Sequence, residues 1–432
     1  MRKPQQDYHI FLGLREMAGF MRGLQNGFTA VGMKTHFLDL GGSPFQYQSA
    51  TNSTALNKIN EYIGKAASFS FRNFGIRMLW LGIFQNLISI FFFPWALLFH
   101  DVFIFCSNST FFFYLELPIL KLFRKKIFFI LLGTESRPVY CSGKVKMDSK
   151  VQIFLAKQIG KLQKTWIRYI EFFSDCLISI PPQALFHEKP FVSIMTTGYP
   201  VECRLPEDPE PIAAQRKFRI LHAPSHKSSK GTEVFRRILE ELRQEGLDFE
   251  YTEISGVSNQ RVLLEISRSD LIIDELYSDT PLGGIATEAA FFGKPSLIGS
   301  YYADILHKDV PREKIPPSFF VKPEHIMDTL RNLIRHPALC EQKGAEAKDF
   351  LQNNWTPTLV AARFLRIISG NIPQDWFFDP ADCSYFGGCG ISRERLKNNI
   401  SKIISCRGGI KNLCLEDKIS LKNKIKDFLN EK

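Results

Sequence analysis

The stretch Pro281–Ile298, PLGGIATEAAFFGKPSLI, decides the fold that we expect for this chain. Gly283 and Gly284 let the backbone approach a ligand closely, and the apolar helix that follows points unpaired N–H groups and its positive dipole end at that place. Glu288, about one turn into this helix, is positioned to accept hydrogen bonds from hydroxyls beside a bound anion. Taken alone, such a glycine pair is more often only a tight turn, so the surrounding sequence has to decide.

Strand and helix patterns alternate on both sides of this stretch. The alternation predicts a parallel sheet with helices on both faces. The N-terminal region opens in the same way, with a strand at Tyr8–Leu14, a helix to about Ala30 and a second strand at Thr35–Leu40. Upstream of the quoted stretch, the patterned segments are strand Phe218–His222, helix Glu233–Glu245, strand Phe249–Ile254, helix Asn259–Ser267 and strand Leu271–Ile273.

The chain of 432 residues is too long for one ordinary core, so we expect two domains. The prediction is two Rossmann-like, doubly wound parallel-sheet domains facing a cleft, plus a C-terminal helical or irregular appendage. The first domain covers residues 1–198, a proline-rich linker covers 199–216, the second domain covers 217–370, and a basic, cysteine-containing tail covers 371–432. The nucleotide cleft is expected to be complete by about residue 370.

The composition is globular, with 45% hydrophobic residues and a net charge of +11. Nine cysteines, odd in number and scattered, and an N-terminus without a secretory signal pattern favour a reducing cytosol. Residues 391–432 carry eleven Lys or Arg against five Asp or Glu. This excess suits anionic lipid or anionic substrates, although a solvated helical face is the more common meaning of such a tail. Nucleic-acid binding is not expected, because no basic-aromatic stripe accompanies the charge.

The segment 76–99 is the most apolar stretch of the chain. It is nearly long enough to span a bilayer, but Arg77, Gln85 and Pro94 interrupt it. We therefore favour a buried or membrane-surface helix over a membrane span. The aromatic cluster Phe91–Trp95 suits an interfacial anchor, which predicts a peripheral membrane protein.

The segment His222–Phe235, HAPSHKSSKGTEVF, follows a predicted strand and opens a helix. It places Lys227 and Lys230 at the carboxyl edge of the sheet, where lysines can neutralise phosphate without a metal. The segment lacks the spacing of a P-loop, and solvated loop lysines are the alternative interpretation. Together with the turn at Gly283, the two loops are placed to grip a diphosphate from two sides.

Metal and cofactor signals are weak. No Asp-x-Asp pair occurs, so a carboxylate-held metal on a sugar diphosphate has no obvious place. The C-terminal cysteines, from Cys383 to Cys414, lack the paired short spacings of structural zinc sites. We expect no metal and no cofactor.

Over His222–Pro295 the sequence resembles glycosyltransferase family 4 and its relatives, retaining enzymes of the GT-B fold. The matching runs are HAPSHKSSKGTEVF, then SRSDLIIDEL (Ser267–Leu276), then GGIATEAAFFGKPSLI; GLREMAGFMRGL (Gly13–Leu24) and LLGTESRP (Leu131–Pro138) are less specific. The likeness covers roughly residues 8–370.

The resemblance implies roles for individual residues. Lys230 would contact the donor diphosphate with Lys227 as partner, and Glu288 would bind the nucleotide ribose, so that Lys230 and Glu288 are the candidate catalytic residues. The turn Gly283, Gly284 and Ile285 would contribute its backbone to the nucleotide-sugar site. The candidate acceptor-side residues are Gly13, Gly133, Glu135 and Arg137.

Two positions depart from the family pattern. The family has a further glutamate eight residues before the ribose-binding one, and Thr280 stands at that position here. The histidine of the family's His-Gly-Ser-Asp segment falls on Leu132. The first departure affects recognition of sugar hydroxyls, and the second removes a polar group from the acceptor side. The candidate replacements for the missing glutamate are Asp274, Glu275 and Asp279.

The resulting hypothesis is a cytoplasmic glycosyltransferase, peripheral at the inner face of the cell membrane. It would transfer a sugar from a nucleotide-diphosphate donor to a saccharide or lipid-linked acceptor, with surface polysaccharide assembly as the setting. The resemblance implies retention and independence of metal. The alternatives are a catalytically inactive binding or scaffold relative, favoured by Thr280 and Leu132, and a nucleotide-sugar epimerase on the same fold.

Overall fold

The computed structural model describes residues 8–40, 89–107, 109–143, 145–203 and 217–431. Residues 41–60, residues 76–88 of the apolar stretch and residues 204–216 of the predicted linker lie outside the described residues. Within the described ranges, the chain folds into two parallel β-sheets flanked by helices, which confirms the expected α/β fold class.

The first sheet has seven strands. They are β1 His9–Leu14, β2 Lys34–Asp39, β3 Val102–Cys106, β4 Lys126–Leu131, β5 Cys176–Ser179, β6 Phe191–Ser193 and β12 Phe377–Phe378. Their order across the sheet is β12-β6-β5-β4-β3-β1-β2, and every neighbouring pair is parallel except β12 with β6. Strands β3 and β4 are almost wholly buried apolar runs, as expected for strands covered on both faces.

The helices on the first sheet are Phe20–Ala30, residues 89–99, Leu117–Leu122, Lys150–Phe173 and Ile194–Thr197. The helix ending at Phe173 begins at Lys150, because Ser149 and Gln152 form a capping box there. The helix that follows β3 begins at Leu117. Before it the chain turns back, since the Glu116 carboxylate accepts the N–H groups of Phe111 and Phe112.

The second sheet has five parallel strands. They are β7 Phe218–His222, β8 Phe249–Glu253, β9 Leu271–Ile273, β10 Ser296–Gly299 and β11 Phe319–Val321, in the order β11-β10-β9-β7-β8. Its helices are Lys227–Lys230, Thr232–Gln244, Asn259–Arg268, Gly284–Phe291, Leu306–Asp309, Ile326–Arg335 and Ala338–Asn354.

The C-terminal part of the chain returns to the first sheet. Helix Pro357–Ile368 packs on helix Phe20–Ala30, with the Phe364 ring edge-on to Phe20 and to Phe28. Strand β12 extends the sheet, and helices Arg393–Ser405 and Ile419–Asn430 bury apolar side chains in the first core. The predicted C-terminal appendage is therefore packed into the first unit. The division at residues 198, 216 and 370 stays a prediction.

The strand order places the candidate site. In each sheet the second strand lies on one side of the first strand, and the later strands are added on its other side. The strand order therefore reverses between β1 and β3 and between β7 and β9. Open parallel sheets bind ligands in the crevice beyond the carboxyl ends of the strands at this switch point. In the second sheet, the loops after β7 and β9 meet there.

Helix Phe20–Ala30 approaches helix Pro357–Ile368 so closely that Gly27 has no room for a side chain. A Cβ at Gly27 would lie 2.1 Å from the Pro357 carbonyl oxygen. We predict that Gly27→Ala lowers the free energy of unfolding by about 1–3 kcal/mol, because the helices must separate.

The control is Gly160→Ala, in the middle of helix Lys150–Phe173. There the nearest atom to the new Cβ is the Phe186 Cζ at 4.0 Å, so helix propensity alone should raise the stability by about 0.5–1 kcal/mol. Urea unfolding followed by circular dichroism measures both effects. Equal stability changes in the two variants would contradict the close packing.

Candidate functional site

The loops after β7 and β9 are hydrogen-bonded to each other at the switch point. The Leu276 amide donates to the Lys230 carbonyl oxygen at 3.2 Å. Gly231 makes this approach possible, because its φ of 79° lies in the left-handed region and a Cβ there would lie 2.5 Å from the Leu276 Cβ. The predicted lysine loop and the segment that leads to the glycine turn therefore form one structural unit.

Lys230 sits between two carboxylates at this edge. Its Nζ donates to Asp274 Oδ1 at 2.8 Å and to Glu275 Oε2 at 3.1 Å, and its side chain is 22% exposed. Burial disfavours the ammonium, but the two carboxylates outweigh this effect and hold the pKa of Lys230 above its ordinary value. Lys230 therefore stays positively charged, and its charge is already compensated within the protein.

Lys227 binds a different carboxylate. Its Nζ lies 2.8 Å from Glu253 Oε1, and Glu253 also receives two hydrogen bonds from the Arg236 guanidinium. The hydrogen bonds from Arg236, and to a smaller extent the one from Lys227, lower the pKa of Glu253 to about 2. The two predicted phosphate-binding lysines thus belong to separate ion-pair groups.

The glycine turn opens helix Gly284–Phe291 without a side-chain cap. Gly283 is extended at the N-cap position and has no side chain to cap the helix, and no side chain of the described residues accepts a hydrogen bond from the first helical amides. A Cβ at Gly283 would lie 3.1 Å from Asp274 Oδ2, and one at Gly284 would lie 3.5 Å from the Ala18 Cβ of the first unit. The uncapped helix N-terminus therefore faces both the Lys230 cluster and the loop after β1.

Glu288 is buried in the first part of this helix. Its Oε1 accepts a hydrogen bond of 2.8 Å from Asn259 Nδ2, whereas its Oε2 has no partner among the described residues. Burial, partly offset by Asn259, raises the pKa of Glu288 to about 7. Ile285, which was predicted as a binding residue, packs its side chain against the second core and leaves only its backbone amide at the turn.

The predicted acceptor-side residues are not gathered in one open surface. Gly13 is buried near the carboxyl end of β1, paired with β2 and β3, and its place on the acceptor side stays a prediction. Gly133 allows the chain after β4 to fold so that Glu135 lies against it, since a Cβ at Gly133 would meet Glu135 Oε2 at 2.5 Å. This Oε2 is buried and finds no hydrogen-bond partner in the described part of the chain.

Arg137 is a fully buried link between the two units. Its Nη2 donates to Asp279 Oδ1 at 2.7 Å and to the Pro182 carbonyl oxygen at 2.6 Å, and Gln183 Nε2 donates to Asp279 Oδ2 at 3.2 Å. Burial opposes the guanidinium charge, but Asp279 raises the pKa of Arg137 above its usual value. Arg137 is therefore held by protein groups, and its place on the acceptor side stays a prediction.

The three candidate replacements for the glutamate that Thr280 replaces, Asp274, Glu275 and Asp279, all take part in ion pairs. Asp279 is engaged with Arg137, and Asp274 and Glu275 hold Lys230. The Thr280 hydroxyl donates to the Leu282 carbonyl oxygen and so shapes the turn itself. Among the described residues, each candidate replacement already has an ionic partner.

A C-terminal glycine-rich segment, Tyr385–Gly390, enters the space between the units. The Gly390 amide donates to the Tyr277 carbonyl oxygen at 3.1 Å, and the Gly143 amide donates to the Cys389 carbonyl oxygen at 3.0 Å. Gly388 has a φ of 86°, and a Cβ there would lie 2.0 Å from Asp279 Oδ1. Residues beyond 370 therefore lie beside Asp279, while the completeness of the nucleotide cleft by about residue 370 stays a prediction. In the sequence, the run GGCG at residues 387–390 is the signal for this close approach.

Glu16 is a buried carboxylate that the sequence reasoning missed. It accepts hydrogen bonds from the amides of Met17, Met21 and Arg22 at the start of helix Phe20–Ala30. Burial raises its pKa to about 7. The helix N-terminus of the first unit is thus occupied by the protein's own carboxyl group, in contrast to the uncapped N-terminus at Gly283.

Other features lie apart from this site. A cavity of about 570 Å³, lined among others by Asp309, Asp379 and Lys424, contains none of the predicted site residues. Within the described ranges, no group of three or more His, Cys, Asp or Glu side chains is arranged to hold a metal ion. All nine cysteines are free thiols. No helix in the described part of the chain has the length and apolar character to cross a bilayer.

No family model matches the sequence, and no curated protein matches it. A solved sucrose-phosphate synthase from Thermosynechococcus elongatus shares 13% identity over 84% of this chain and 99% of that chain, with a TM-score of 0.49. Anabaena HepE in complex with UDP-glucose shares 10% identity over 84% and 99%, with a TM-score of 0.47. A glycosyltransferase from Rickettsia africae shares 12% identity over 84% and 98%, with a TM-score of 0.45. Likenesses this remote assign neither a family nor an activity to this chain.

Burial of Glu288 predicts a pH-dependent stability. Its pKa is about 7 in the folded protein and near 4.5 in a model peptide, so the folded state binds more protons between these values. The stability that this group contributes is present below about pH 4.5 and is lost as the pH rises through about 7. Glu288→Gln removes the titration, so the variant should gain up to about 3 kcal/mol relative to wild type between these limits.

Urea unfolding at about pH 5 and about pH 8 measures this difference. Glu233→Gln, at an exposed glutamate of helix Thr232–Gln244, is the matched control and should keep the wild-type profile. A stability difference between Glu288→Gln and wild type that is the same at both pH values would refute the burial of an ionisable Glu288.

Proposed function

We propose that this protein is a glycosyltransferase that binds a nucleotide-diphosphate sugar at the carboxyl edge of the second sheet. The observation that carries the proposal is the meeting of three groups at the switch point between β7 and β9. These are the Lys230 ammonium, the uncapped helix N-terminus after Gly283 and the free Oε2 of Glu288. A cation and free amides suit a diphosphate, and a carboxylate one turn further suits ribose hydroxyls.

In this proposal the residues have separate tasks. Lys230 and the amides of Gly284 and Ile285 stabilise the diphosphate, while Glu288 accepts hydrogen bonds from the ribose. Negative charge on the diphosphate grows as the bond to the sugar breaks, so fixed positive groups at this place favour the transition state over the bound donor. Lys227, paired with Glu253, would act by its field at the rim of the site.

The finer parts of the proposal rest on the resemblance to glycosyltransferase family 4. They are a retaining, metal-independent transfer, a saccharide or lipid-linked acceptor on the side of the first unit near Glu135, and a setting in surface polysaccharide assembly. A cytoplasmic location, peripheral at the inner face of the cell membrane, belongs to the same hypothesis. The division of the chain into two domains, a linker and a tail, at residues 1–198, 217–370, 199–216 and 371–432, is also part of this hypothesis.

A second candidate function is a catalytically inactive relative that binds a ligand without turnover. The observation that favours it is the internal pairing of the charged groups at the site. Lys230 is compensated by Asp274 and Glu275, and Asp279 is held by Arg137. Donor hydrolysis or transfer by the purified protein separates the enzyme from the binding protein. An epimerase would instead form product without any acceptor.

Glu288 and Lys230 should fail differently when they are replaced. At about pH 8, Glu288→Gln weakens charge-assisted hydrogen bonds to ribose, so nucleoside and nucleoside-diphosphate affinity should both fall by about 1.5–3 kcal/mol. Lys230→Met should leave nucleoside binding intact but weaken the diphosphate, with turnover falling more than donor affinity. Isothermal calorimetry with the nucleosides and diphosphates of all common bases measures the binding.

Lys230→Met leaves two buried carboxylates unpaired, which by themselves repel a phosphate. The double variant Lys230→Met/Glu275→Gln removes part of this repulsion, and it should still bind the diphosphate more weakly than wild type. Lys217→Ala, at an exposed ion pair with Asp248, is the surface control. If the double variant regains wild-type diphosphate affinity, or if Glu288→Gln changes neither ligand, the two loops do not form one nucleotide site.

A further inference from the structure

Helix Lys150–Phe173 presents an apolar face to solvent on the outside of the first unit. Its inner face is buried through Ala156, Gly160 and Ile167. The opposite side of the helix consists of large apolar side chains that are between 44% and 74% exposed, although such residues normally face a core. These residues are Val151, Phe154, Leu155, Ile159, Leu162 and Phe172.

The neighbouring helix Leu117–Leu122 extends this apolar surface. The two helices are in contact. The turn before the shorter helix also packs on the longer one, since the Tyr169 hydroxyl donates to the Tyr114 carbonyl oxygen at 3.4 Å and the Tyr114 and Trp166 rings lie 5.4 Å apart. The shorter helix and its flanks expose Leu115, Ile119, Leu122 and Phe123. We call these four residues and the six of the longer helix the outer apolar surface.

A cationic cavity lies along the flank of the same helix. It has a volume of about 470 Å³ and collects side chains from the helix and from the segment 407–416. Its cations are Lys157, Lys161, Lys164, Arg168, Arg407 and Lys411, against the single lining carboxylate Glu416.

Part of this positive charge is not neutralised by the protein. Lys164 pairs with Asp417 and with Glu188, which also binds Arg168. Among the described residues, Lys161, Arg407 and Lys411 have no carboxylate within ion-pair distance. An apolar surface with unneutralised cations on one flank is the arrangement of a helix that lies in a lipid interface.

We propose that the outer apolar surface docks on an anionic lipid bilayer, with the cationic cavity receiving lipid phosphate groups. The inference does not depend on the proposed glycosyl transfer. Charge complementarity favours a bilayer over a second copy of this chain, because a two-fold dimer through this face would bring two cationic cavities together. The apolar side chains would enter the boundary between headgroups and acyl chains, while the cations stay at the level of the phosphates.

This surface is distinct from the membrane contact that the sequence predicts at 76–99. Of that stretch, residues 89–99 form a helix, with Phe93 packed edge-on against Phe111 and Phe112 in the first core. The sequence pattern over 157–173 marks a basic-apolar helix, but only the structure shows that its apolar side faces outward.

Sedimentation with vesicles of equal parts phosphatidylcholine and phosphatidylglycerol tests the proposal at low salt. Wild type should bind these vesicles, be released by high salt, and bind vesicles of phosphatidylcholine alone much more weakly. Phe154→Glu/Leu162→Glu should weaken binding by about tenfold or more, because two apolar side chains no longer enter the bilayer. Lys161→Ala/Lys411→Ala should weaken it by roughly fivefold per cation removed.

Matched controls lie on the second unit. Leu339→Glu replaces a partly exposed leucine of helix Ala338–Asn354, and Arg237→Ala removes an exposed cation of helix Thr232–Gln244. Both should bind vesicles as wild type does. Circular dichroism and the unfolding midpoint confirm that each variant is folded.

Three results would overturn the proposal. They are the absence of wild-type binding at low salt, unchanged binding by the folded Phe154→Glu/Leu162→Glu variant, and a dimer in the absence of lipid that this variant converts to a monomer. The last result would assign the surface to a second copy of the chain.

Discussion

The buried ion pair between Arg137 and Asp279 sets how the carboxyl edges of the two sheets meet. Removing one partner of such a pair typically costs about 3–5 kcal/mol, because the other charge stays buried without compensation. The pair also defines the space beside it, since Gly388 approaches Asp279 so closely that only glycine fits. The segment Tyr385–Gly390 is thereby seated between the units, next to the loop that carries Lys230.

In the candidate site beside this link, the positive charge of Lys230 is outnumbered by carboxylates before any ligand binds. Lys230 is held by Asp274 and Glu275, and burial raises the pKa of Glu288 to about 7. The carboxylates keep the lysine fixed at the switch point, and the uncapped amides after Gly283 are the uncompensated positive group there. A diphosphate would therefore gain most from the helix N-terminus and would share the lysine with its carboxylates.

The sequence predicted the alternating strands and helices because their apolar periodicity is local, and it predicted the turn at Gly283 because glycine pairs commonly mark turns. Prediction from the sequence failed for residues whose contact partners lie far away along the chain. Arg137 and Asp279 are 142 residues apart, so no local pattern pairs them. Strand β12 is two residues long, too short for a periodic signal, and the burial of Glu16 depends on a helix end that forms only in the fold.

We propose that the edge formed by the loops after β7 and β9 binds a nucleoside diphosphate. Thermal unfolding of the full chain with uridine, guanosine, adenosine, cytidine and thymidine diphosphates tests it most directly. A ligand at about one hundred times its Kd stabilises the native state by about 2.7 kcal/mol, so at least one diphosphate should raise the unfolding midpoint in a saturable way. An unfolding midpoint that none of the five diphosphates changes would contradict the account.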